Sequence, residues 1–216
     1  MSGGAGSHGP GRADDGAPQT AGPPARSRRD LAAALRELPR EPTGVRAGAA
    51  VVAVLRDRGG EFEALLIQRT ERPSDPASGQ VSFPGGRTDP ADPNLTATAL
   101  RELDEEVGLG AADLDGAPGF LGIFSATAFG LEVAAFAAGL APGARLPHAR
   151  DPDEVAGVFW LPEGELHRSR RVLRATSRGP AEVEAVVFEG HVVWGFTRSL
   201  LLAALRTLGD GRRAEA

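Results

Sequence analysis

The chain has 216 residues, of which 41% are hydrophobic and 25% charged, so it is long enough to form one domain around an apolar core. It contains no cysteine, which excludes a disulfide framework, a zinc site built from thiolates and a cysteine nucleophile. All 24 basic residues are arginine and the formal net charge is −5, which excludes a catalytic lysine and argues against nonspecific binding of nucleic acid. No apolar run approaches the roughly 20 residues that span a bilayer and no secretory signal is evident, so we expect a cytoplasmic protein that binds no membrane.

The first segment, residues 1–29, consists of glycine, proline, alanine and polar residues with almost no large hydrophobic side chains. Such a segment buries too little apolar surface to offset the entropy lost on ordering, so we expect a disordered tail. It is either inert or a partner-binding arm. The remaining residues, 30–216, are predicted to form one domain, whose first helix covers residues 31–38 with Asp30 as its N-cap.

Two runs rich in apolar residues, 49–55 and 62–67, predict buried strands, and many prolines and glycines then predict a long loop over 71–94. The clearest helix covers 95–107 and ends at Gly108 as its C-cap. Further elements are predicted as strands at 119–124, 131–138 and 155–160, a short helix at 162–166, a hairpin of 172–175 and 183–188 around residues 178–180, and a helix at 196–208. Strands and helices do not alternate strictly, which indicates a mixed sheet between helices rather than a doubly wound parallel fold.

Three glutamates of the central predicted helix, Glu102, Glu105 and Glu106, are spaced i, i+3 and i+4 and therefore share one face. Their mutual repulsion is relieved by a hard divalent cation, because such ions bind carboxylate oxygens. Arg101 reaches Glu105 one turn later and could hold that carboxylate in place. The alternative interpretation is a solvated acidic face.

A pair of glycines, Gly85 and Gly86, precedes this helix. Glycine allows the backbone to approach a ligand closely. A glycine loop beside an acidic helix favours a site for a metal-bridged di- or polyphosphate over the solvated face.

Residues 101–109 read R-E-L-D-E-E-V-G-L and resemble the second half of the Nudix box, R-E-U-x-E-E-x-G-U, in which U is apolar. Every specified position matches. This chain has 14 residues between Gly86 and Arg101, one more than the general box, and Pro93 stands where the box has an upstream glutamate. The nearby acidic residues are Asp89 and Asp92.

The segments around the box resemble the coenzyme A pyrophosphatase branch of the Nudix hydrolases. Residues 79–89 read G-Q-V-S-F-P-G-G-R-T-D, residues 65–70 read L-L-I-Q-R-T and residues 193–197 read V-W-G-F-T, and each is similar to a segment of that branch. Many members have histidine where this chain has Ala77.

The resemblance implies an α/β fold, the Nudix α/β/α sandwich with a mixed β-sheet. It also implies that Mg²⁺ or Mn²⁺ supports hydrolysis of the diphosphate linkage of coenzyme A or an acyl-CoA, giving adenosine 3',5'-bisphosphate and 4'-phosphopantetheine. The expected metal ligands are Glu102, Glu105 and Glu106, one of which, or Glu154, is the general base. The expected substrate-binding residues are Arg69, Arg72, Gln80, Gly85 and Gly86.

Several alternatives stay open from the sequence. Arg69 and Arg72, where a strand meets the long loop, either bind phosphate or are solvated. The alternative within the family is a Nudix hydrolase whose substrate is ADP-ribose, a nucleotide sugar or a nucleoside triphosphate. A non-catalytic nucleotide-sensing module is the alternative from another class of protein, and a homodimer is left open.

Overall fold

The computed structural model describes residues 28–41, 43–72, 78–176 and 179–209. Their helices are α1 (Arg28–Glu37), α2 (Leu95–Val107) and α3 (Gly195–Gly209). Their strands are β1 (Ala49–Arg58), β2 (Glu61–Arg69), β3 (Val81–Ser82), β4 (Gly85–Arg87), β5 (Gly119–Ala126), β6 (Leu131–Gly139), β7 (Val155–Pro162), β8 (Arg170–Thr176), β9 (Gly179–Phe188) and β10 (His191–Trp194). No helix within these ranges is long and apolar enough to cross a membrane.

Strand β1 is the centre of a seven-stranded mixed sheet. It runs parallel to β6 and antiparallel to β2 and β4. The main path of the sheet has the order β3-β2-β1-β6-β5, with β7 paired to β2. A second, antiparallel sheet has the order β10-β9-β8. The predicted mixed sheet is therefore confirmed.

Alternate residues of β1 enter two different cores, because successive side chains of a strand point to opposite faces. Val52 and Val54 pack with Leu103 of α2 on one face. Ala53 and Leu55 belong to the core that includes residues of α1 and α3 on the other face. Helices thus cover both faces of the sheet, as the predicted α/β/α sandwich requires.

Helix α2 is fixed at both ends by side chains and backbone. At its beginning the Asn94 side chain accepts a hydrogen bond from Ala97 N (2.8 Å), and Glu41 accepts one from Leu95 N (3.0 Å). At its end Gly108 takes a left-handed conformation (φ 70°), as predicted, and its N–H donates to the carbonyl of Asp104. These contacts satisfy backbone groups that a helix end leaves without intrahelical partners.

Three predictions about the elements need correction. Helix α1 begins at Arg28, so Asp30 lies inside the helix and is not its N-cap. The stretch 71–94 is not a continuous loop, because it contains β3 and β4, which are two and three residues long. Strand β10, which carries part of the V-W-G-F-T segment, was not predicted as a strand.

Other predicted elements are confirmed with small shifts at their ends. The hairpin of β8 and β9 pairs from Arg170↔Ala185 to Thr176↔Gly179, and residues 177–178 of its turn lie outside the described residues. The short helix at 162–166 is a 3-10 helix over Glu163–Arg168. The tail predicted for residues 1–29 lies outside the described residues up to position 27 and stays a prediction.

The N-cap of α2 provides a test of how the helix is anchored. Asn94→Ala is expected to lower the free energy of unfolding by about 1 kcal/mol, because the N–H of Ala97 loses its acceptor. Asn94→Asp keeps an acceptor and is the matched control, with an expected loss well below that of alanine. Urea unfolding followed by circular dichroism measures both, and equal losses for the two variants would contradict the capping role.

Candidate active site

Glu106 lies on the buried face of α2, among mostly apolar side chains. Its neighbours on that face include Leu103 and Val107, and Glu106 itself is only 3% exposed. Its Oε2 accepts a hydrogen bond from Gly85 N (2.8 Å), and its Oε1 lies 4.0 Å from Nη1 of Arg69. Burial raises the pKa of Glu106 to about 8, although the Gly85 hydrogen bond opposes the shift.

Glu102 lies one turn earlier, against the other glycine of the pair. A Cβ on Gly86 would stand 2.6 Å from the carboxyl carbon of Glu102, so a larger residue there would displace the carboxylate. Gly85 has φ 149° and its Cβ would meet the carbonyl oxygen of Ala50 at 2.4 Å. Position 85 therefore requires glycine, whereas a side chain at position 86 would push the carboxylate of Glu102 aside. Both carboxylates border the bend at which the chain enters β4 through Gly85 and Gly86, called the glycine turn below.

Repulsion between carboxylates adds to the effect of burial at this turn. Burial raises the pKa of Glu102, and hydrogen bonding to Arg101 opposes it. The charge of Glu154 raises the pKa of both Glu102 and Glu106, so the structure brings Glu154 near the acidic face of α2. Raised pKa values of buried carboxyl groups are typical of functional sites.

Arg101 connects several acidic groups through its guanidinium. Nη1 donates to Glu102 Oε1 (2.8 Å) and Glu105 Oε2 (2.9 Å), which confirms the predicted contact with Glu105. Nη2 donates to the carbonyl of Arg87 (3.0 Å) in β4. The carboxylate of Glu105 is 55% exposed, so this glutamate lies farther from the core than Glu106 although both belong to the same face.

Asp92 is a member of the site that sequence reasoning did not assign. It accepts from Nε and Nη2 of Arg101, both at 3.1 Å, and from Thr98 Oγ1 at 2.8 Å. These charge-assisted hydrogen bonds hold the pKa of Asp92 below its usual range. The upstream glutamate of the box would align with Pro93. In this chain the carboxylate that binds Arg101 belongs to Asp92, the residue immediately before Pro93. The one extra residue between Gly86 and Arg101 was the feature of the sequence that could have indicated this shift of the acidic position.

The segment before β7 brings Glu154 to the site. Arg150 N donates to the carbonyl of Glu106 (3.0 Å) at the end of α2. Thr70 N, just after β2, donates to the carbonyl of Glu154 (3.0 Å). The side chain of Glu154 lies 3.8 Å from Nη1 of Arg72 and is half exposed.

Two of the predicted substrate-binding residues, Arg69 and Arg72, lie beside carboxylates of this cluster. Arg69 faces Glu106, and Arg72 faces Glu154. Arg69 N donates to the carbonyl of Gln80 (3.0 Å), which joins the end of β2 to the segment leading into the glycine pair. Positive charge thus lies beside negative charge at the C-terminal end of β2.

A cleft of about 1480 Å³ lies at the N-terminal end of α2 and meets the site at Asp92. Its lining includes Glu41, Asn94 and Glu132, whereas Glu102, Glu106 and Arg69 are not part of it. The perturbed carboxylates, not cavity size, therefore identify the candidate site.

The acidic cluster fits a hard cation by its chemistry. Glu102, Glu106 and Glu154 supply oxygen donors that repel each other, and the first two have raised pKa values. Within the described ranges, no three Asp, Glu, His or Cys side chains already stand at metal-binding spacing. Arg101 donates to Glu102, and Gly85 N donates to Glu106. Small side-chain rotations would have to accompany binding.

The buried charge of Glu106 predicts a pH-dependent stability in the absence of metal. Between the ordinary pKa of 4.5 and the raised value of about 8, the folded protein holds a proton that the unfolded chain releases, so stability falls as pH rises. From pH 5 to pH 8 this costs about 3 kcal/mol. Glu106→Gln keeps an acceptor for Gly85 N but has no proton to release. Between pH 5 and pH 8 its free energy of unfolding is therefore expected to fall by about 3 kcal/mol less than that of the parent.

Urea unfolding in EDTA at several pH values measures this difference. The matched control is Glu182→Gln, an exposed glutamate of β9, which should retain the pH dependence of the parent. Parallel curves for the parent and Glu106→Gln would show that Glu106 is not a buried acid with a raised pKa.

Comparison with known proteins agrees with this geometry. A family model described as the NUDIX domain matches residues 44–179, which is more than half of the chain. A protein called "Uncharacterized Nudix hydrolase NudL" from Yersinia enterocolitica is 32% identical over 140 residues, covering 63% of this chain and 70% of that protein. A protein of the same name from Yersinia pestis is 32% identical over 130 residues, and the match spans 57% of this chain and 62% of that protein's length.

A solved structure similar to most of this chain shows the same fold. A MutT/nudix family protein from Enterococcus faecalis superposes with a TM-score of 0.51 at 18% identity, covering 83% of this chain and 67% of that one. At this identity the likeness concerns the fold alone. The matched domain contains α2, the Gly85–Gly86 turn and Glu154, and the chain belongs to the Nudix hydrolase family.

Proposed function

We propose that the protein hydrolyses the diphosphate linkage of coenzyme A or an acyl-CoA with the help of a divalent cation. The observation that carries the proposal is the pair of carboxylates, Glu102 and Glu106, which border the Gly85–Gly86 turn with pKa values raised by burial. Arg69 lies beside Glu106, so positive charge for a phosphate is next to the acidic pair.

The residues proposed to hold Mg²⁺ or Mn²⁺ are Glu102, Glu105 and Glu106. Such an ion, when bound, polarises phosphoryl oxygens and lowers the pKa of a water molecule. Its positive charge would also lower the pKa of Glu106, which burial and, to a smaller extent, the charge of Glu102 raise. Glu105 is bonded to Arg101, so it can contribute to the ion only if that contact changes.

The other side chains have separate proposed roles. Arg69 and Arg72 neutralise and orient the diphosphate or a further phosphate. Gly85 and Gly86 admit the substrate close to the backbone, and Gln80 lies at the start of the segment that carries them. Glu154 is the proposed general base, because it is half exposed and independent of the Arg101 network, so it can reach a water molecule.

Coenzyme A is proposed as the substrate because of the G-Q-V-S-F-P-G-G and V-W-G-F-T segments and the two arginines at the site. ADP-ribose, nucleotide sugars and nucleoside triphosphates are the alternatives within the family, and a nucleotide-sensing module is the alternative outside it. The three glutamates of the helical half of the box, Glu102, Glu105 and Glu106, are all present and support an enzyme over a sensing module. The cytoplasmic location and the homodimer left open by the sequence stay predictions.

The substrate order tests the proposal. We expect kcat/KM for coenzyme A to exceed that for 3'-dephospho-coenzyme A and ADP-ribose by roughly ten- to a hundredfold, because a 3'-phosphate paired with Arg72 or Arg69 gains charge-assisted hydrogen bonds. Mass spectrometry should find adenosine 3',5'-bisphosphate and 4'-phosphopantetheine. Tenfold better cleavage of ADP-ribose would refute the coenzyme A assignment and leave a Nudix hydrolase.

Variants of the site serve as controls in the same assay. Glu106→Gln is expected to lose at least about a hundredfold in kcat, because it removes a charged ligand, while Glu182→Gln stays at the parent value. Turnover of Glu106→Gln within threefold of the parent at saturating Mg²⁺ would show that the measured activity does not come from this site.

A further inference from the structure

The V-W-G-F-T segment reaches the strand that leads into the glycine turn. Thr197, near the beginning of α3, is 6% exposed and donates a hydrogen bond from Oγ1 to the carbonyl oxygen of Val81 at 2.8 Å. Val81 is 5% exposed and forms β3 with the next residue. The hydroxyl therefore satisfies a backbone carbonyl that has little access to water.

Strand β10 contacts the same segment through β2. Nδ1 of His191 lies 3.1 Å from Oε1 of Gln68, and Nε2 of Gln68 donates to the carbonyl of Gly79. Because an amide oxygen only accepts, Nδ1 of His191 carries the proton. The imidazole also stacks on Phe159, with ring centroids 3.9 Å apart and planes at 3°. Two residues in or near the C-terminal helix thus hold residues 79–81: Thr197 contacts Val81 directly, and His191 contacts Gly79 through Gln68.

The segment held in this way continues directly into the candidate active site. Pro84 O accepts from Val52 N (3.0 Å), and Gly85 N then donates to Glu106 (2.8 Å). Only three residues separate Val81 from Gly85, and a chain of that length reaches about 3.3–3.6 Å per residue at most. A displacement of Val81 is therefore transmitted to the turn that borders both carboxylates.

We propose that Thr197 is a positioning residue for the diphosphate hydrolysis, an inference that rests on the proposed function. Its hydroxyl fixes Val81 and, through the short connection, holds Gly85 and Gly86 against Glu106. The hydrogen bond from Thr197 to Val81 then joins the V-W-G-F-T segment to the G-Q-V-S-F-P-G-G segment, although more than 100 residues separate them.

A graded series of substitutions tests the hydroxyl. Thr197→Val keeps the shape and removes the donor, Thr197→Cys supplies a weak donor, and Thr197→Ser restores a hydroxyl. We expect kcat to fall at least about tenfold for valine, by an intermediate factor for cysteine and by less than about threefold for serine, with KM within about threefold throughout. If Thr197→Val does not fold, the kcat values of Thr197→Ser and Thr197→Cys are compared, and equal values would contradict a role for the hydroxyl as donor.

Leu201→Ala separates positioning from general destabilisation. Leu201 is buried one turn further along α3, and its truncation weakens the core without removing a hydrogen bond to β3. At a temperature well below both melting transitions, Leu201→Ala should keep kcat within threefold of the parent. An equal fall in kcat for Leu201→Ala and Thr197→Val would overturn the positioning role.

Amide hydrogen exchange gives a readout that needs no substrate. Thr197→Val should speed exchange in residues 79–87 at least about tenfold, whereas Thr197→Ser and Leu201→Ala should leave that segment near the parent rate. Unchanged exchange in Thr197→Val would overturn the proposal. A parent protein that cleaves no diphosphate would overturn the proposed function, and the exchange rates would then decide the Thr197 contact alone.

Discussion

The burial of one carboxylate is the constraint on which the site depends. Glu106 occupies a position in the apolar stripe of α2, where a leucine or valine would pack without cost. Its pKa of about 8 reflects that burial, and Gly85 N and Arg69 compensate it only in part. Without metal this group keeps its proton up to about pH 8, and the proposed divalent cation would replace that proton and compensate the buried charge.

The surrounding structure fixes the partners of this carboxylate from distant parts of the chain. Pairing of β4 with β1 brings the glycine turn to α2, and Arg101 joins α2 to β4 and to the turn that contains Asp92. The backbone around Glu154 joins the ends of β2 and α2. Because each contact uses backbone groups or a bidentate guanidinium, the positions of the carboxylates are set by the fold and not by flexible side chains alone.

Residue spacing along the sequence predicted those features that depend on contacts within a single helix. Helix α2, its Gly108 cap and the contact of Arg101 with Glu105 follow from spacing within one helix, and the structure confirms them. The strands β3 and β4 form by pairing with β2 and β1, which local pattern does not contain, so the sequence predicts only a loop over residues 71–94. Asp92 and the different burial of Glu105 and Glu106 also depend on packing that periodicity does not contain, and the assignment of metal ligands stays a prediction.

Binding of Mn²⁺ tests the central claim most directly. Calorimetric titration of the metal into the parent, Glu102→Gln, Glu106→Gln and the exposed control Glu182→Gln compares the dissociation constants without any substrate. If the buried acidic pair forms the cation site, both site variants should bind at least about tenfold more weakly than the parent, and the control should match it. Equal affinity for all four proteins would contradict the account, since the carboxylates beside the glycine turn would then not hold the ion.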